Sequence, residues 1–391
     1  MTGDAPTEAD AQTEAAVDDA PAPRSAARPP AFPALTVAIV ASLAVGFILL
    51  LEVFVAPPAP WGGADNPGGF GPPQSRAEHL VAKMDGHTFA EIALDPNMVN
   101  TPDAYFGDRE NAAYRSSRPM QGWLAFVASA GGQRPLLAPA LLALTAATVG
   151  AAILSVAALA RVAGRRVRYL GAVLATPAFI AAVAYPGICE PLAIALSCAG
   201  IAAWLRKQPW LAVGLLTAAG LTRETMLVVP LGLGITHLLQ RRTPLGALKL
   251  ALPAVAYGVW ITLVHDRLGA WPSDYSQTAP PLEGFRMAFP HWHAAEWAAA
   301  ALLVASAAVI ATRGTTWMRV IALLHVPILV AANHQVWWVW LGFGRVTMLL
   351  PIFALIVLGT PLADERREQA SEAVDGEAPA ETDVGGLAVR Q

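Results

Sequence analysis

Residues 209–240 read PWLAVGLLTAAGLTRETMLVVPLGLGITHLLQ. As one helix this stretch is roughly 48 Å long, against a bilayer core of about 30 Å. Arg223 and Glu224 would then sit in hydrocarbon, at a cost of several kcal/mol. The better reading is a hairpin of two short helices with Leu221–Thr225 at its tip. Short or broken helices are tolerated where they line a protein cavity or water, and ionisable residues at that depth are functional candidates. The stretch therefore predicts a polar site at one membrane face.

The composition supports that frame. Hydrophobic residues make up 55% of the chain and charged residues 14%, and mean hydropathy is +0.47. These values describe a multi-span membrane protein. A net charge of −3 gives no case for a nucleic-acid partner. Cys189 and Cys198 are nine residues apart, about 13 Å along a helix and on opposite faces, too far for a disulfide.

The predicted fold is all-α, a polytopic helical bundle of about ten spans that include short paired helices. The apolar segments are 34–56, 136–160, 169–187, 190–205, 209–222, 225–240, 245–266, 295–312, 318–333 and 346–361. Segment 34–56 reads as a retained span, since its apolar run is long and an acidic stretch precedes it. Residues 1–33 and 362–391 are polar or acidic without apolar periodicity and are expected to be disordered tails. Domain 34–361 carries two long connections, 57–135 and 267–294.

Orientation follows from the basic residues of the short connections. One set holds Arg161, Arg165, Arg166, Arg168, Arg206, Lys207, Arg241, Arg242, Arg313, Arg319, Arg366 and Arg367. The other holds only Arg223 and Arg345. Both termini are thus expected in the cytoplasm of a plasma-membrane protein, with both long connections and the unusual charges outside.

The first long connection contains Asp85-Gly86, a tight-turn start that presents a carboxylate or an N-cap, and Asp95-Pro96, a helix stop. Arg115 and Arg118 share a face if helical, suited to clamp a phosphate or to anchor on lipid headgroups. The apolar stretch 119–130 is too short to span and reads as an interfacial or re-entrant helix. Glu190 stands at a hairpin tip after Pro186-Gly187, and Arg223 and Glu224 either pair with each other or with other tips. Trp337, Trp338 and Trp340 read as an interface belt before Arg345. His291 and His293 lack a third ligand, so no metal site is assigned, although a divalent metal is conceivable. The second connection also holds Trp271, Asp274, Tyr275, Glu283 and Arg286.

Taken in order, Asp85-Gly86, Phe89, Ile92-Ala93, Asp95-Pro96, Tyr114-Arg115, Arg118, Leu124, Glu190-Pro191-Leu192, Leu221–Thr225 and Gly344-Arg345 resemble the GT-C superfamily of membrane glycosyltransferases. The likeness covers about residues 34–361 and is to poorly characterised bacterial members. It departs at Phe89, where such loops often have Tyr, and at Ser116-Ser117. It implies inverting transfer of a sugar from a polyprenyl-phosphate donor to an extracytoplasmic glycan, lipid or protein acceptor. It implies Asp85 as general base and arginines at the donor phosphate, for which Arg115, Arg118, Arg223 and Arg345 are the candidates. Glu190, Glu224, Asp95 and Tyr114 would support them. Competing readings are a transporter or flippase for a lipid-linked substrate and a non-catalytic membrane subunit.

Overall fold

A computed structural model describes residues 32–55, 70, 72–82, 85–99, 109–240, 243–275 and 278–362. Nearly all of the two expected tails lies outside these residues, as do Gly62, Arg241, Arg242, Arg366 and Arg367. From Ala34 on, the described helices form one compact unit. The protein is all-α as expected. Among the described residues its only sheet is the two-residue antiparallel pairing of Arg165–Arg166 with Thr360–Pro361.

In chain order the helices are α1 (Phe32–Val55), α2 (Arg76–Val81), α3 (Gly86–Leu94), α4 (Arg109–Ser116), α5 (Met120–Ala128) and α6 (Arg134–Val162). There follow α7 (Pro177–Ala184), α8 (Glu190–Leu205), α9 (Pro209–Thr222), α10 (Val228–Leu239) and α11 (Pro244–Leu268). The last are α12 (Glu283–Ala288), α13 (Ala294–Arg313), α14 (Thr316–Ala331), α15 (His334–Trp338), α16 (Trp340–Val346) and α17 (Leu349–Val357). Proline opens many of them. Pro135, Pro177, Pro191, Pro209 and Pro244 each occupy a first turn, where the missing N–H costs nothing and φ is already helical.

The ten apolar segments do not become ten equivalent spans. Among the described residues four helices are long and apolar enough to cross a membrane, and up to five if the pair α16 and α17, bent by 64°, counts as one. Four more apolar helices have 10–17 residues. Segment 169–187 is broken into a 3-10 turn, Leu170–Ala175, and α7. The residue between them, Thr176, precedes Pro177 and is forced into extended backbone. The bend between α16 and α17 has a similar cause. Pro351 has no N–H for the carbonyl of Thr347, and its ring crowds that carbonyl.

The expected hairpin is present. α9 ends at Arg223, whose backbone is extended, a 3-10 turn spans Glu224–Leu227, and α10 returns. Pro230, which lacks the N–H that would meet Met226, is tolerated in the first turn of α10. The reversal is fixed by contacts at the far end, where His237 of α10 lies 5.6 Å from Trp204 of α8 and Lys249 of α11 lies 5.2 Å from the Trp210 ring of α9. α11 packs against both legs.

The main core joins α6, α8, α9, α10, α14 and α17. On the outer helices large apolar side chains face away from protein, among them Leu43 and Phe47 of α1 and Leu248 and Val259 of α11. Such faces suit lipid rather than water. Cys189 and Cys198 are buried free thiols.

Candidate active site

Two glycines bring the first connection to the tip before α8. A Cβ at Gly86 would meet Val81 O at 2.3 Å and Pro186 O at 2.6 Å. Gly187, at φ +89, would put its own Cβ 3.0 Å from the Gly86 Cα. Side chains are excluded from this backbone-on-backbone crossing, and Gly187 N–H is also held by Thr145 Oγ1 at 2.9 Å. The crossing sets Asp85 and Glu190 on the same end of the bundle. Gly344 makes a like approach, with Pro177 side-chain carbon 2.7 Å from its would-be Cβ, and this seats Arg345 between the two carboxylates.

The charges then interlock. Asp85 accepts from Arg345 NH2, and its other oxygen lies 3.4 Å from Arg115 NH1. Glu190 Oε1 accepts from Arg345 Nε at 2.5 Å and from Arg223 NH1. Arg118 grips Glu224 with both prongs of its guanidinium, at 2.6 and 2.9 Å. Arg115 also donates to Thr88 Oγ1 at 2.6 Å and to Asn111 Oδ1 at 2.9 Å. Asp85 stands at the N-terminal cap position of α3, yet its side chain makes no capping bond. Its carboxylate is committed to the arginines.

Asp85, Tyr114, Arg115, Arg118, Arg223, Glu224 and Arg345 line one cavity of about 630 Å³. Glu190 does not reach the surface; it is fully buried and ties Arg223 to Arg345 from beneath. The rest of the lining includes the apolar side chains Ile328, Ala331, Val336, Val339, Leu341 and Val346. Four guanidiniums face three carboxylates, which leaves one net positive charge. Burial pushes the Asp85 carboxyl up, but Arg345, Arg115 and Arg118 more than offset this and hold it below the usual carboxylate range. Burial and then Arg115, opposed by Asp85, lower His87 to about 4, so its ring is neutral at pH 7 and leaves the charge balance unaltered.

Some expectations are corrected in detail. Arg223 and Glu224 do not pair with each other. Arg118 does not share a helix face with Arg115, since α4 ends at Ser116 and Ser117–Pro119 form the turn into α5. Asp95 is outside the cavity lining and ends α3, with its N–H on Glu91 O and Met98 N–H on its own carbonyl, as its Pro96 suggests. Trp337 is not a belt residue. It is buried against Phe285, Trp292 and Phe343, and its Nε1 donates to Leu329 O at 3.1 Å. His291 stacks on Trp338 and His293 caps α13. Among the described residues no three His, Cys, Asp or Glu side chains are grouped to hold a metal.

The sequence did not single out Thr88, Thr225, Thr278 or Gln335 as lining residues. Tyr275 was visible in the second connection without a role. It lines the cavity, whereas Asp274, Glu283, Arg286, His291 and His293 do not. No protein-family model, no curated protein and no solved structure matches the chain significantly.

Proposed function

We propose that the protein is a GT-C-like glycosyltransferase of the plasma membrane, taking a sugar from a polyprenyl-phosphate donor to an extracytoplasmic acceptor. The observation that carries this reading is one cavity whose lining divides into four arginines and a group of apolar side chains. A lipid phosphodiester has that same division, an anionic centre between a polar head and an isoprenoid tail. Its single negative charge matches the single net positive charge of the cluster, which a pyrophosphate would exceed.

In the proposed reaction Asp85 takes the proton of an acceptor hydroxyl. The hydroxyl oxygen bonds to the anomeric carbon from the face away from the phosphate, the carbon–oxygen bond to phosphate breaks with its electron pair, and polyprenyl phosphate leaves. Configuration inverts. Arg345 and Arg115 have a double part. Paired with Asp85 they make it a weak base, and a donor phosphate that draws them away raises its basicity where it is needed. The arginines then stabilise the charge that develops on the leaving phosphate.

Transfer by the purified protein from a radiolabelled lipid-phosphate sugar tests the reading. Asp85→Asn is expected to abolish transfer while donor binding is kept or tightened, since the cluster gains a positive charge; wild-type turnover by that variant removes Asp85 from the mechanism. The 64° bend between α16 and α17, beside Arg345, favours a second reading, a lipid-linked substrate flippase with a broken helix at its pathway. Movement of labelled donor across vesicles without any glycosyl transfer supports that one instead.

A further inference from the structure

We infer that the ring of Tyr275, packed on Tyr114, is the platform on which the sugar ring of the donor lies, so that Tyr275 is the residue that reads the sugar. The inference rests on the proposed lipid-phosphodiester reading and assigns the third part of such a ligand.

The cavity lining has three chemically distinct components. The arginines take the phosphate and the apolar side chains take the tail. The third is a pair of tyrosine rings, 5.1 Å apart between centroids and tilted by 32°. Arg118 lies 4.3 Å from the centroid of Tyr114, so guanidinium and rings are continuous from the charged floor outward. A sugar attached to a phosphate at the arginines extends from it by one ring, and the tyrosine pair adjoins those arginines. Saccharides present flat faces of C–H groups flanked by hydroxyls. A tyrosine offers the matching surface, an apolar face with a polar tip.

The segment that bears Tyr275 is pinned on both sides. Before it, a turn closes with Trp271 N–H on Asp274 Oδ2 at 2.8 Å, and the Trp271 ring stacks on His265 of α11 at 4.0 Å. After it, Thr278 pairs with Ala332 across an isolated β-bridge, and Ala279 and Leu282 donate to the carbonyls of Ala331 and Val330, each at 2.8 Å. A glycine is required where this strap passes the end of α14, because a Cβ at Gly284 would come 2.2 Å from Ala332 O. The pinned turn before it brings Tyr275 to the cavity and lowers the entropic cost of ordering its ring on binding.

The test uses farnesyl phosphodiesters with glucose, mannose or arabinofuranose, and methyl farnesyl phosphate, which has the same charge and tail but no sugar. Binding is measured to the full chain in nanodiscs. The wild-type protein is expected to bind at least one sugar diester more tightly than the methyl ester. Tyr275→Leu, which keeps apolar bulk without a ring face, and Tyr275→Ala should each weaken that sugar diester by roughly three- to tenfold. Both should leave the methyl ester unchanged, and Tyr275→Phe should retain most of the preference. If no sugar diester binds better than the methyl ester, or if the variants weaken both ligands equally, Tyr275 only holds its loop and the platform is overturned, while the phosphodiester reading stands. If the wild-type protein binds neither, that reading falls and the platform with it.

Discussion

Glu190 is fully buried, and one of its oxygens accepts from two arginines, Arg223 and Arg345. Removing one member of a buried ion pair leaves an uncompensated charge, at a cost of roughly 3–5 kcal/mol. Glu190→Gln should therefore lower the melting temperature of the detergent-solubilised protein. It should also tighten the binding of inorganic phosphate, since the cluster gains a second net positive charge. Loss of stability with unchanged phosphate binding would mean that Arg223 and Arg345 are structural only. Glu91 behaves otherwise. It is buried outside the cavity and accepts from Phe70 N–H at 2.7 Å. Burial raises it to about 7, against the opposing pull of that N–H and of Arg134. A carboxyl raised above its unfolded value contributes stability below the unfolded value, and loses it as pH climbs through the folded one. Stability should thus fall between about pH 4.5 and 7 from this group. Glu91→Gln keeps the acceptor for Phe70 and should flatten that fall, as measured by melting temperature at pH 5 and pH 8.

The elements are placed by close backbone approach as much as by apolar faces. Gly344 lets α16 lie on the start of α7, and so carries Arg345 to Asp85 and Glu190. Gly344→Ala must part these helices by several tenths of an ångström or more. Transfer should drop by on the order of 10- to 100-fold, because small misplacements of a charged clamp are costly. Gly214→Ala, with nothing within 4 Å of the added carbon, should change nothing and controls for the loss of a helical glycine. Equal activity in both would separate the Arg345 contacts from catalysis. Such approaches are hard to read from sequence, where a glycine at a crossing looks like any other. The hairpin of α9 and α10 was legible because an Arg-Glu pair is conspicuous in an apolar run. Its partners were not. Arg223 has extended backbone, and successive side chains on extended chain point to opposite sides. Arg223 therefore meets Glu190, while Glu224 meets Arg118, 106 residues away.

At the scale of the molecule, the class of fold was legible from composition and the count of spans was not. Proline and pre-proline backbone cut apolar runs into pieces that hydropathy alone joins, as at Thr176-Pro177 and before Pro351. What survives is a polarity between the two ends of the bundle. The cavity and its balanced charges occupy one end. Arg165 and Arg166, paired with Thr360–Pro361, and the turn at Arg206 and Lys207 occupy the other, and those arginines have few acidic neighbours in sequence. Excess basic residues in short connections stay on the cytoplasmic side, so the cavity end should face outward, where a donor already carried across the bilayer would meet its acceptor. Cysteine labelling checks this directly, because the native thiols, Cys189 and Cys198, are buried and give little background. Ser273→Cys is exposed in the connection that bears Tyr275, and Gln208→Cys is exposed at the basic end. An impermeant maleimide should label the first in intact cells and the second only after the membrane is opened. The reverse pattern would turn the cavity to the cytoplasm. The proposed phosphodiester reading of the site would be untouched by that result, but acceptors in the cell envelope would be out of its reach, and the proposed reaction would have to be sought among cytoplasmic hydroxyls.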